Sequence, residues 1–214
     1  MTIEIEKFVT GPIETNTYVV CDGTTCIVVD PSGNCGKIVT YITGKGRKAA
    51  AILLTHGHFD HILGIGEIQA VFPEAKVWVN PAEKPLLLNA EFNGSYLIGK
   101  PMSYSGDMSD LLEGKLTIDG ISLEVLYVPG HSPGGCAFVF EDNAQTHCIS
   151  GDSLFAGSIG RTDFPLGDSR LLLQSIKTKL MVLPDDTIVY PGHGNRTTIG
   201  REKRMNPYLK DNGN

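Results

Sequence analysis

The sequence predicts an α/β fold in which two mixed sheets pack together with helices on the outside. Three observations predict it. Strand-like and helix-like runs alternate, and the same order recurs in the second half of the chain. The apolar run at 49–54 has strand length and suits burial on both faces of a sheet. Gly (25) and Pro (12) are abundant in the 214 residues, above the roughly 12% usual for the pair, so tight turns are frequent.

The first half opens with strands at 3–9, 17–21 and 25–30, and Asp22-Gly23 between the last two is a hairpin signal. Asp30-Pro31 closes the third strand. Residues 37–42 have helical spacing and stop before Gly44. The buried run 49–54 leads into a His-rich turn, followed by a helix over 62–71 that Pro73 ends. A strand at 77–79 and a helix at 82–88 follow. Residues 89–110, rich in Gly, Ser, Asn and Pro, are expected to form a long loop joining two similar halves of one domain spanning 1–214. In the second half, 116–118, 123–128, 137–141 and 147–150 read as strands. Residues 169–183 give an amphipathic helix with Leu172, Leu173, Ile176, Leu180 and Leu183 on one face. A core strand at 187–190 and a short helix at 199–208 finish the chain.

Composition excludes several functions. The net charge is −6 and the 18 Lys and Arg are scattered, whereas nucleic-acid binding needs a clustered basic face. No run reaches the roughly 18–20 apolar residues that span a bilayer. The amino terminus alternates charged and apolar residues and lacks a signal-peptide core. A cytoplasmic protein with neither nucleic-acid nor membrane partners is expected. Its five Cys (21, 26, 35, 136, 148) include no CxxC pair and are expected to be small buried apolar residues.

The chemistry concentrates in Thr55-His56-Gly57-His58-Phe59-Asp60-His61, directly after the buried strand. Imidazole nitrogen and carboxylate oxygen are the donors that zinc and ferrous iron select. His131, Asp152 and His193 each follow an apolar strand by one tight turn, where open α/β sheets place their sites. His56, His58 and His131, then Asp60, His61 and His193, with Asp152 to share, make seven donors. That is too many for one tetrahedral site and enough for two sites with a bridging carboxylate. No Cys joins them, which argues against a closed structural zinc site. His147, alone in its strand, reads as an ordinary surface or satisfied histidine.

The HxHxDH motif at 56–61, with His131, Asp152 and His193, resembles the metallo-β-lactamase superfamily over essentially the whole chain. The resemblance implies a four-layer αβ/βα sandwich with the site at the edge between the two halves. Gly151-Asp152-Ser153-Leu154-Phe155 and the tail Glu202…Asn206-Pro207-Tyr208-Leu209 resemble glyoxalase II (hydroxyacylglutathione hydrolase), particularly its short bacterial forms. β-Lactamases of this fold carry Cys or Ser at the Asp152 position, so Asp152 argues against antibiotic hydrolysis. Asp30 matches an acidic position that supports the metal loop in the family, and also reads as a turn or capping Asp.

The resemblance implies a metal-dependent thioesterase acting through a metal-bridging hydroxide, with Asp60 and Asp152 as catalytic residues. It implies two divalent ions, zinc foremost, with iron or manganese as alternatives. The substrate would be a small-molecule thioester, and the added helical domain that grips glutathione in full-length glyoxalase II is expected to be absent. Gly160-Arg161-Thr162-Asp163-Phe164 also occurs in persulfide dioxygenases. That raises an alternative reaction on one iron held by His56, His131 and Asp152. Arg161 is a candidate for binding an anionic substrate, or a partner for Asp163 or Asp168. The oligomeric state stays open.

Overall fold

A computed structural model describes residues 3–142 and 145–210 of the chain. The first sheet holds β1 (Glu4–Thr10), β2 (Thr15–Asp22), β3 (Thr25–Val29), β4 (Lys48–Leu53), β5 (Lys76–Val79) and β6 (Met108–Asp110), in that spatial order. Its first three strands are antiparallel neighbours and the rest are parallel. Helices α1 (Gly36–Gly44), α2 (Phe59–Ile62), α3 (Ile65–Val71) and α4 (Lys84–Leu88) interleave with its later strands. The second sheet starts with β7 (Gly114–Ile118), β8 (Ile121–Tyr127), β9 (Cys136–Asp142) and β10 (Gln145–Gly151). A two-stranded hairpin, β11 (Leu154–Phe155) and β12 (Ser158–Ile159), and helix α5 (Ser169–Ser175) intervene before β13 (Ile188–Pro191), β14 (Thr197–Thr198) and helix α6 (Ile199–Met205). The order of this sheet is β14-β13-β10-β9-β8-β7, with only β10 and β13 parallel.

Strand alternation sorts the core into three layers of contact. Tyr18, Val20, Ile27, Val29 and Leu53 face Ile121, Leu123, Val125, Phe138 and Phe140 between the sheets. Val19, Val28 and Ile52 turn the other way onto Ile38, Ile42, Ile65 and Ile68. On the far side, Ala137, Val139, Cys148 and Val189 meet Leu172, Ile176, Leu180 and Ile199. Helix, sheet, sheet, helix is the four-layer sandwich the sequence predicts.

Several elements differ in detail. The helix expected over 62–71 starts earlier, at Phe59, and is interrupted at Leu63-Gly64, where the chain packs so closely that a Cβ on Gly64 would collide with Gly33 N and Cys35 Sγ. Asp60 and His61 therefore sit on a helical turn rather than in a loop. The segment 89–110 is not all loop: it carries a 3-10 turn (Ser95–Ile98) and closes the first sheet with β6. The helix expected over 169–183 changes pitch at Ile176–Leu180 into a π turn, and the terminal helix stops at Met205. The hairpin turn is Gly23-Thr24, with Asp22 paired to Thr25.

The cysteine expectation needs one correction. All five are buried, but Cys21 and Cys26 form a disulfide, leaving Cys35, Cys136 and Cys148 free. The β2–β3 register sets Cys21 directly opposite Cys26, a pairing that composition alone does not reveal.

Candidate metal centre

Four strand ends converge to build the site. β4 leads through Leu54-Thr55 to His56, His58, Asp60 and His61, carried on one turn of backbone and α2. β8 leads to His131, β10 to Asp152, and β13 to His193. The turn is held from behind by Asp30, which lies at φ +51° after β3 and is almost fully buried. Asp tolerates this left-handed conformation better than most residues. Its Oδ1 accepts the Thr55 N–H at 2.8 Å, and its Oδ2 accepts the Thr55 hydroxyl at 2.6 Å and His61 Nδ1–H at 2.9 Å. Asp30 thus supports the metal loop and caps no helix.

These bonds fix the tautomers. With Nδ1–H on Asp30, His61 presents Nε2 to the site. Thr55 Oγ1, having donated to Asp30, accepts from His56 Nδ1–H at 3.0 Å, so His56 also presents Nε2. His131 donates Nδ1–H to the Arg161 carbonyl at 2.7 Å and turns Nε2 inward, 3.0 Å from His58 Nδ1. Second hydrogen bonds of this kind set ring orientation and basicity in metal sites.

The predicted donors come together as two sets. His56, His58 and His131 bring one ligand atom each within 4.8 Å of one another, as do Asp60, His61 and His193. Asp152 lies between the sets. Its Oδ1 is 3.5 Å from His61 Nε2, and its Oδ2 is 3.7 Å from His131 Nε2 and 3.6 Å from His193 Nε2. Asp60 Oδ2 is 3.2 Å from both His61 Nε2 and His193 Nε2, and accepts the Thr15 hydroxyl at 2.8 Å. His147 stands apart, bonded to the Tyr190 hydroxyl.

Several ligand atoms of the cluster make no hydrogen bond. Nε2 of His56, His58 and His61 and Oδ1 of Asp152 are buried without a hydrogen bond. Leaving such groups bare is costly unless something else occupies their lone pairs. Nitrogen and carboxylate oxygen without sulfur fit divalent zinc, iron or manganese. Glycine makes room at the centre: a Cβ on Gly192 would collide with Asp152 Oδ1 and press on His61.

Charge divides the two sets. Burial, reinforced by its histidine neighbours, holds His56 well below its ordinary pKa and pushes His58 down to about 3. Burial works the same way on His61, yet Asp60, Asp30 and Asp152 together raise it well above its usual value. Burial likewise opposes the charge of His193, but Asp60 and Asp152 raise its pKa. Asp60 and Asp152 resist burial because His61 lies against them, and both stay below the carboxylate range.

Arg161 makes its contribution through the main chain. Its guanidinium donates to both oxygens of Asp163, at 2.7 and 2.9 Å, and lies 4.0 Å over the Phe164 ring. Phe164 in turn packs edge-on against His58. Asp168 instead caps α5 by accepting the Arg170 and Leu171 N–H groups.

Sequence reasoning missed Glu83. Its buried carboxylate accepts Gly57 N–H at 2.7 Å and Gly134 N–H at 2.5 Å, tying the loop of His56 and His58 to the loop after His131. It also missed Thr15 on Asp60, and Asn16 and Tyr18, which bind the Pro191 carbonyl and seat the His193 loop on β2. The tail residues Glu202 and Asn206 anchor the β11–β12 turn through Gly157 N–H and the Ser158 carbonyl.

Residues 10–193 match the family model of the metallo-beta-lactamase superfamily. The chain belongs to this superfamily. Within it, the chain is 40% identical over 202 residues to the probable metallo-hydrolase YqgX of Bacillus subtilis, covering 93% of this chain and 94% of that protein. It is 37% identical over 185 residues to the hydroxyacylglutathione hydrolase GloC of Haemophilus influenzae, covering 85% and 86%. Among solved structures, the B3 metallo-beta-lactamase BLEG-1 superposes with a TM-score of 0.90 at 39% identity, covering 96% of this chain and 99% of that one. TTHA1623 in a di-iron-bound form gives 0.83 at 35%, covering 95% and 100%. The chain is a metallo-hydrolase-type member of the superfamily.

Proposed function

We propose that the chain is a thioesterase of the hydroxyacylglutathione hydrolase type, cleaving small-molecule thioesters with two divalent ions, zinc foremost. The observation that carries this reading is the Asp152 carboxylate standing between two sets of three donors, within 3.5–3.7 Å of His61, His131 and His193. His56, His58 and His131 would hold one ion and Asp60, His61 and His193 the other, with Asp152 touching both. Bound ions supply a hydroxide nucleophile near neutral pH and polarise the acyl carbonyl. The GloC likeness supports the substrate class.

The chain's own groups do the positioning. Asp60 Oδ2 accepts the Thr15 hydroxyl and lies 3.2 Å from His61 Nε2 and His193 Nε2, and the carboxylate so held would orient the attacking water. Asp152 balances the positive charge gathered between the two sets. Phe164 against His58 and Phe155 beside His193 give the site apolar walls. A thiolate leaving group, with a thiol pKa near 8.5, needs little protonation, so the site can work without a separate general acid. Arg161, held by Asp163, would meet a substrate anion only by exchanging that partner. Among the described residues, no helix is long and apolar enough to cross a membrane.

The test compares kcat/KM on S-lactoylglutathione and on a chromogenic cephalosporin, with oxygen uptake on glutathione persulfide measured alongside. The thioester is expected to be the fastest substrate, with no oxygen consumed. A faster cephalosporin would transfer the reading to β-lactam hydrolysis. Oxygen uptake would transfer it to the dioxygenase alternative.

A further inference from the structure

A second cleft, of about 460 Å³, is lined by Ile5, Lys7, Tyr18, Tyr190, Asn195 and Arg196. It lies where β1 and β2 of one sheet face β13 and the β13–β14 connection of the other. Strand alternation puts Ile5 and Lys7 on this side of β1 and sends Glu4 and Glu6 to the opposite side, where Glu4 pairs with Lys45 and Arg47. The two phenols have spent their polar atoms elsewhere. Tyr18 donates to the Pro191 carbonyl at 2.7 Å, and the Tyr190 hydroxyl bonds His147 Nδ1. Their rings, edge to face at 5.6 Å, are left as apolar walls.

The cations are the unusual part. Arg196 is exposed and has neither an ion pair nor a hydrogen bond among the described residues, while Lys7 makes one long bond to the Gly194 carbonyl at 3.4 Å. Among the described residues, no carboxylate lines the cleft. The contrast is the cleft around Trp78, where Lys48 is paired with Asp119 and Glu74 stands beside Lys76. In a chain of net charge −6, an unbalanced pair of cations over aromatic walls makes a local site of opposite sign.

We propose that this cleft binds a small organic anion. Lys7 and Arg196 would hold its carboxylate, sulfonate or phosphate by charge-assisted hydrogen bonds, and Tyr18 and Tyr190 would cover an apolar or aryl portion. A volume near 460 Å³ suits a ligand of that size. The site is separate from the metal centre but shares one loop with it. Pro191 and Gly194 border the cleft through Tyr18 and Lys7, and His193 between them reaches Asp60 at 3.2 Å.

Benzenesulfonate is the probe, since a sulfonate is a poor metal ligand. It is titrated into the zinc-loaded full chain and followed by amide chemical shifts. Expected are saturable shifts at Lys7, Tyr190, Asn195 and Arg196, and an affinity at least tenfold weaker in Lys7→Met and in Arg196→Met, each with an unchanged melting temperature. Methanesulfonate, which lacks the ring, is expected to bind more weakly, and trimethylanilinium, which reverses the charge, not at all. Shifts confined to Gly57, Gly192 and their neighbours would overturn the proposal, as would equal affinity in both variants. Equal affinity for methanesulfonate would overturn the role given to the tyrosine walls.

Discussion

Replacing Glu83 with Ala tests whether the metal loops are held by a carboxylate that is itself remote from the chemistry. The side chain is fully buried and accepts two backbone N–H groups, from Gly57 and Gly134. Burial pushes its carboxyl above the ordinary range, so relief of that burial offsets part of the loss. Each buried donor left unsatisfied costs about 1–3 kcal/mol, so the pair costs about 2–6 kcal/mol. With a midpoint near 4 kcal/mol, and about 2–4 °C per kcal/mol for a chain of this size, the metal-free protein should melt about 8–16 °C lower. Glu83→Gln keeps one acceptor but turns an NH₂ toward the other N–H, and should fall between. The assay is thermal unfolding of metal-stripped protein, followed by chelator competition for the first ion, which should bind more weakly in both variants. A stability change below about 0.5 kcal/mol, the level of an ordinary surface substitution, would refute the cross-link.

Other expectations follow from the same geometry. The His61 and His193 pKa values are raised by Asp60 and Asp152, while those of His56 and His58 are depressed. Metal binding needs neutral imidazole, so lowering the pH from 8 toward 5 should release the ion at Asp60, His61 and His193 first. Simultaneous loss of both ions in a metal-content titration would contradict this. Asp152→Ala should lose both ions and activity, because a shared anion offsets repulsion between two dications; a variant that kept both would remove its bridging role. Lys45, Tyr41 and Arg47 hold the Glu4 carboxyl down to about 2. Its folded pKa is depressed, so its stabilisation is present above about 4.5 and lost as pH falls toward 2. Glu4→Gln should flatten that limb of the acid unfolding curve, by a modest amount since the pair is solvent-screened. Arg161→Met should change KM less than about threefold, because its exposed bond to Asp163 contributes little; a large KM rise would mean the guanidinium leaves Asp163 for the substrate.

The residues that converge on the site were legible because chemistry needs specific residue types and the strand-then-turn grammar places them. His56, His58, Asp60, His61, His131, Asp152 and His193 each follow a strand that hydrophobic pattern alone marks out. The four-layer order was legible for the same reason, since Val19 and Tyr18 must face opposite ways. What stayed hidden depends on distance across the fold. Glu83 looks like any charged residue on a short helix, and only tertiary packing brings it under Gly57 and Gly134. Thr15 reaches Asp60 from 45 positions away. Cys21 and Cys26 pair because of register, which a one-residue shift in the hairpin turn would have undone. Gly64, at the break between α2 and α3, lies too close to Gly33 and Cys35 to carry a Cβ, a tertiary approach that helical periodicity cannot register.

Hydrolysis at a two-ion site is tested by thiol release under strict anaerobiosis. Protein of known metal content is mixed with S-lactoylglutathione without oxygen, and free thiol is followed against metal per chain. Thiol release is expected at the aerobic rate, reaching its maximum at two ions per chain. Release that needs oxygen, or that is complete with one ion per chain, would contradict it.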